Sequence, residues 1–494
     1  MSLALIFVLA ALPAGAPQGD PIRPLSSECF DYAHARHLLT RAGFSGTPEE
    51  IARVQARGLA AAIAHLVDYE TVPDSLAPHG IEPRRLPPRE ELAQMTAEAR
   101  QRRVQMSQRD DRRAFEQVRN WWLQRLLRSQ RPLEEKLTLF WHGHFTSGHR
   151  EVRNAYHMAV QNDLLREHAS GNFAEFVREI SRDPAMLAYL NNNQNSRRAP
   201  NENYARELLE LFTLGAGNYS EKDIKEAARA FTGWRFQNSS FVFVPRDHDY
   251  GEKEFLGRTG RFDGDDIIRI VLEQEAAPRF VARKLLAFFA VEPTEAELEP
   301  YARILRERGW ELKPLLRTLF ASEWFYSDRV RARQIKSPLA LVVTFAREMG
   351  ATELPSEPLL RACANVGQEL MQPPNVKGWD GGPAWITSSN LLTRYNITKG
   401  MIAGGADRRR AASSFSTLAL VDSSQATTAE SILAALERRF LVLPLAAERR
   451  VRLLEFATGK DGSAPLDFSD RARLRQKLDE LLHLLTTTPE FQIC

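Results

Sequence analysis

The chain has 494 residues, 43% hydrophobic and 26% charged, with a formal net charge of +3. That length is roughly three domains' worth of material, enough to bury large cores without disulfide staples. Interspersed Lys/Arg and Asp/Glu exclude a global electrostatic argument for nucleic acid or anionic membranes. The three cysteines, Cys29, Cys363 and Cys494, allow at most one bridge and form no CxxC motif of the zinc-ribbon or thioredoxin kind.

Leu3 to Leu12 is an unbroken apolar run followed by "PAGAPQGD". It reads as a signal peptide over residues 1–16, with Ala14 and Ala16 as small cleavage-site residues, although no Lys or Arg precedes the run. The expected location is therefore periplasmic or extracellular. No later segment approaches 18 apolar residues, so the protein is not expected to be integral to a membrane.

Helical periodicity dominates the rest of the chain, and the expected fold is mainly α with a minor β-hairpin near 235–257. Residues 47–68 open with Thr47, Pro48 and two glutamates, a helix-start signature. The Arg/Glu/Gln-rich stretch 89–127 predicts a long solvated helix; as an interaction arm it would serve a partner. An N-terminal helical region is expected over 30–130 and a central helical domain over 131–410. Within the latter, "SSFVFVPRD" (239–247) is the clearest strand signal, and "MQPPNVKGWDGGPAWI" (371–386) is a Pro/Gly-dense ordered loop. Residues 411–430 read as a linker before a C-terminal helical region, 431–494.

Four stretches hold residues suited to chemistry. In "FWHGHF" (140–145), Leu137, Phe140, Trp141, His144 and Phe145 form the apolar stripe of a buried helix. On an unbroken helix His142 and His144 lie about 200° apart. They can share a metal ion only if the helix stops at Gly143, a residue type favoured just past helix ends. In "PNENYARELLELFTLG" (200–215), Asn203, Glu207 and Glu210 share a helix face, and Glu202 and Arg206 form an i, i+4 pair. Carboxylates on the inner side of such a helix must be paired or metal-bound; on a surface they form an ion-pair network with Arg206. His248, Asp249 and Lys253 follow the strand signal in a polar loop. Trp379 and Trp385 form an aromatic wall, for contact with a ligand or for packing the loop onto the body. No GxSxG, P-loop, dinucleotide fingerprint or HExxH is present.

Taken together, "HLLTRAGFSGTPEEI", "FWHGHF", "PNENYARELLELFTLG", "YSEKDIKEAARAFTGW", "HDYGEKEFLG", "IKSPLALVV", "NVKGWDGGPAW" and the terminal "TPEFQ" resemble, in order, the bacterial exported family known as domain of unknown function eighteen-hundred. The resemblance runs from about residue 33 to the end. It implies export and association with a sulfatase-like exported companion protein, and no mechanism. Gly143 stands where the family pattern leads one to expect a small polar residue such as Asn.

Two functions are compatible with these residues. The first is a divalent-metal-dependent hydrolase of the cell envelope. Zinc, iron or manganese would be held by His142, His144, Glu207 and His248, with Asp249 as a further ligand or orienting partner. Glu210 or Glu202 would act as general base and Arg206 would hold an anionic group, with Asn203, Lys253, Trp379 and Trp385 contacting substrate or partner. The second is a non-catalytic helical binding or scaffold protein of the envelope, in which the His and Glu blocks are structural networks and the tryptophan loop is the contact surface. A haem held by axial histidines is a further cofactor class, although no CxxCH attachment site exists.

Overall fold

Helix starts follow the capping signals. Helix α1 (Tyr32–Ala42) is capped by Asp31, whose carboxylate accepts the His34 amide. Helix α2 (Pro48–Arg57) carries a full capping box between Thr47 and Glu50, with Pro48 in the first turn. Gly58, at φ +77°, turns the chain into α3 (Leu59–Val67). The computed structural model describes residues 20–83, 94–404, 416–424 and 426–494. The apolar N-terminal run, the start of the 89–127 stretch and residues 411–415 lie outside these.

The charged stretch forms one helix, α4 (Ala97–Arg128), about 48 Å long at 1.5 Å per residue. Its first half is exposed; from Phe115 onward it buries Val118, Trp122, Leu123, Leu126 and Leu127. Helix α5 (Pro132–His144) comes after a short turn. It is the wall between the two large hydrophobic clusters. Leu133, Leu137, Phe140 and Trp141 face the first, which also takes most of residues 30–69 and 165–330. Leu139 faces the second, built from α4 and the helices beyond residue 338. Each fully buried leucine here contributes roughly 1.5–3 kcal/mol, so α5 is anchored from both sides. Helix α6 (Ala155–Glu167) packs on both α4 and α5.

Beyond α6 come α7 (Asn203–Glu207) and α8 (Glu221–Ala230). Two small antiparallel hairpins succeed them. Strands β1 (Trp234–Gln237) and β2 (Ser240–Phe243) pair Trp234 with Phe243 and Gln237 with Ser240. Asn238 and Ser239 at the tip both have positive φ, as a two-residue hairpin turn of matching twist requires. Strands β3 (Lys253–Phe255) and β4 (Arg258–Gly260) form the second hairpin. The rest is helical and includes α9 (Pro338–Glu348), α10 (Thr417–Ser424), α11 (Ala429–Phe440) and α12 (Arg471–Thr486). Helix α10, inside the stretch expected to be a linker, packs on α12. The protein is mainly α, and no described helix is long and apolar enough to cross a membrane. All three cysteines are free.

Candidate functional site

The two histidines of "FWHGHF" do not share a site. The stop at Gly143 that a shared metal would require does not occur: α5 runs on to His144 and ends at Phe145, and Gly143 has no positive φ. The rings therefore leave opposite sides of the wall. His142 lies edge-on to Trp122, with centroids 5.5 Å apart, and against Trp379 at 5.7 Å, on the side of the second core. His144 lies among Phe140, Trp141, Phe145, Phe173 and Phe212, on the side of the first. Gly143 has a different role. A Cβ there would touch the Trp379 ring at 3.5 Å, and Gly378, at φ +86°, approaches so closely that its own Cβ would fall 2.3 Å from the Gly143 carbonyl oxygen. Gly378 lets the 371–386 loop lie directly on the end of α5, with the Trp379 ring beside Gly143.

His144 has a backbone partner. Residues Leu208–Thr213 wind as a π-helix directly after α7, with the Leu214 amide reaching back five residues to the Leu209 carbonyl at 2.9 Å. Such segments often mark functional sites. The chain leaves the helix at Leu214, so the Phe212 carbonyl is one of the end groups without an intrahelical donor. His144 Nε2 lies 3.1 Å from it; a carbonyl only accepts, so this nitrogen carries the proton. Burial pushes both His142 and His144 down to about 3, and for His144 the nearby Lys284 adds to the shift. Both rings are neutral at physiological pH.

This sets a pH dependence. A histidine held neutral in the fold cannot take the proton that the unfolded chain binds below about pH 6.5. Its contribution to stability is complete above that value and lost as pH falls toward 3. Between pH 7 and pH 5 each ring is expected to cost about 2 kcal/mol. Denaturant midpoints at the two pH values, for the parent and for His142→Gln, measure it: the variant should lose less on acidification. Equal losses would show that His142 does not titrate with unfolding.

The carboxylates gather elsewhere. Glu207 is half-buried, and burial followed by the neighbouring Glu210 raises its pKa against the opposing pull of Arg206 and Lys377. Glu210 accepts a 3.0 Å hydrogen bond from the Tyr219 hydroxyl, and burial together with that carboxylate pushes the phenol up to about 12. Arg206 is held by Glu221 at 2.8 and 2.9 Å and more loosely by Glu202 at 3.4 Å. It is thus already engaged by two carboxylates rather than held open for an anion. Asn203 is exposed at the start of α7.

His248 and Asp249 occupy a third place. His248 Nδ1 donates to the Thr232 carbonyl at 2.8 Å, and its ring packs on Phe243 and Tyr250. Gly233, at φ +80°, permits this, since a Cβ would meet the Val244 carbonyl at 2.7 Å. Asp249 pairs with Arg229 at 2.8 Å, which holds it below the usual carboxylate range. Lys253, expected as a contact residue, is 1% exposed and donates to the carbonyls of Asp249 and Gly251 at 2.6 and 3.0 Å. It fastens the 249–251 turn and is not available for surface contact. Among the described residues no three His, Cys, Asp or Glu side chains converge to hold a metal ion.

Trp379 and Trp385 are both half-buried against the second core. Lys377, two residues before Trp379, is near enough to act on Glu207. Glu207, Glu210, Tyr219 and Lys377 are thus brought together, and Trp379 follows Lys377 two residues on, packed on His142. Tyr219 and Lys377 were not singled out by sequence; nothing in the spacing of "GNYSEKD" or "NVKGW" signals their neighbours, because both act across the fold.

A wall helix between two apolar cores, with the tryptophan loop lying on the end of that wall, characterises this mainly α protein. The chain belongs to the family described as Protein of unknown function (DUF1800), which matches residues 37–493, nearly all of it. No curated protein and no solved structure matches.

Proposed function

We infer that the protein is a non-catalytic binding protein of the bacterial envelope, recognising its partner with the face formed by Glu207, Glu210, Tyr219, Lys377 and Trp379. The observation that carries this reading is the separation of the histidines. Each has a packing or hydrogen-bonding role of its own, while the carboxylates meet a tyrosine and a lysine instead of an imidazole, and that lysine lies two residues from the half-buried Trp379. Such a mixed face has one apolar anchor and several directional polar groups, the composition from which binding hot spots are made. The apolar N-terminal run supports export, and the first partner to test is the sulfatase-like exported companion.

Two measurements on the same preparation decide between the readings. Titration of the companion into the parent should give saturable binding that weakens at least about tenfold in Trp379→Ala and in Glu207→Gln, with thermal melts unchanged. Elemental analysis of the protein purified without chelator should give no stoichiometric zinc, iron or manganese. Near-stoichiometric metal that disappears in Glu207→Gln or His144→Ala would instead establish the metallohydrolase reading. Binding unaffected by both substitutions would remove this face as the recognition surface.

A further inference from the structure

Far from the glutamates along the chain, the second core is open on one side. A cavity of about 410 Å³ lies between the start of α2 and the helices α10, α11 and α12. That volume falls in the range of small-molecule sites, which are mostly apolar with a few placed polar groups. Leu420, Ile432, Leu436, Leu478 and Leu482 give it an apolar floor, and Arg438 and Arg439 close one side.

The two arginines differ in what holds them. The Arg438 guanidinium lies over the Tyr32 ring, 4.4 Å from its centroid. Arg439 donates through Nε to the Glu348 carbonyl, while its terminal nitrogens make no hydrogen bond or ion pair among the described residues. The carboxylates nearest it are in use. Glu348 takes Arg36 at 3.1 Å and Ser45 at 2.9 Å. Glu49 also lines the cavity; against burial, its own amide, Thr47 and the Arg439 charge hold it below the usual carboxylate range. Glu50 closes the capping box with Thr47. The wall therefore presents a part-buried guanidinium beside an apolar space, attracted by Glu49 across the lining but with no hydrogen bond or ion pair at its terminal nitrogens among the described residues. A planar anionic group is the natural complement of such a fork.

We propose that this cavity binds a single-chain amphiphile with an anionic head group, its tail on Leu436 and Leu482 and its head on Arg439. The site shares no residue with the Glu207 face and stands or falls independently of the function inferred for that face. A free acyl carboxylate and a single-chain phospholipid have the same chemistry of tail and anion.

Calorimetric titration of the full-length protein with decanoate, decanol and lysophosphatidylglycerol, each below its micellar concentration, tests the site. Decanoate or lysophosphatidylglycerol should bind saturably at one per chain, and the one that binds tighter identifies the source. Arg439→Gln should weaken the anion about tenfold while changing decanol less than twofold. Ala52→Trp, which enters the cavity from its exposed side and leaves the core intact, should abolish binding of all three; Ala435→Trp repeats the test from α11. The proposal is overturned if neither anion saturates the parent, if decanol binds as tightly as decanoate, or if binding survives both tryptophan variants.

Discussion

Replacing Glu135 by Gln should destabilise the protein by about 3–5 kcal/mol, the cost of leaving buried charges without their partner. Glu135 is fully buried on α5. It accepts Arg125 Nε at 2.7 Å, Arg166 Nε at 2.9 Å and the Trp122 indole N–H at 3.1 Å. Arg125 also reaches Asp74 at 2.7 Å, and both guanidiniums lie over the Trp121 ring. The carboxylate thus ties α4, α5 and α6 together. Burial alone would raise its pKa, but Arg166 and Arg125 outweigh that and hold it below the usual range. Its stabilising effect is present above the unfolded-state pKa and is lost as pH falls through the lower native one. In a chain of this size the loss corresponds to a melting shift of only about 3–5 °C, so the denaturant midpoint is the better measurement. A change below about 1 kcal/mol would mean that Asp74 and Glu134 compensate and that the network is redundant.

The same residue shows what the sequence did and did not reveal. Glu135, Leu139 and His142 stand at i, i+4 and i+7, one stripe of α5. The apolar stripe of α5 was legible in "FWHGHF", but the buried carboxylate of Glu135 was not singled out. Neither were its partners, since Arg125 and Arg166 come from other helices. Thr47, Pro48 and Glu50 were readable because capping is local, and so was the β2 strand. The π-helix was hidden: its residues Leu208, Leu209 and Phe212 fit an α-helical stripe equally well, and the change of winding shows only in backbone hydrogen bonds such as Leu214 to Leu209. That change places the Phe212 carbonyl where His144 can reach it, a partner 68 residues away that the sequence could not show.

Gly143 and Gly378 test the corrected reading of "WHGHF" most directly, because the two glycines predict opposite outcomes. Were Gly143 the end of the helix, as its composition suggests, alanine there would strain a left-handed cap. It is instead helical, and a Cβ would meet the Trp379 ring at 3.5 Å, an ordinary contact. Gly143→Ala should therefore be neutral or stabilise by up to about 1 kcal/mol through helix propensity. Gly378→Ala should cost about 2–4 kcal/mol, since it combines a positive φ with a Cβ driven against backbone that cannot yield. The loop must then lift from α5, taking Trp379 off His142 and Lys377 away from Glu207. Tryptophan emission should shift to longer wavelength in this variant alone, and companion binding should weaken with it. If Gly143→Ala proves the more damaging of the two, the helix does end at Gly143, and a metal shared by His142 and His144 becomes the better account of the motif.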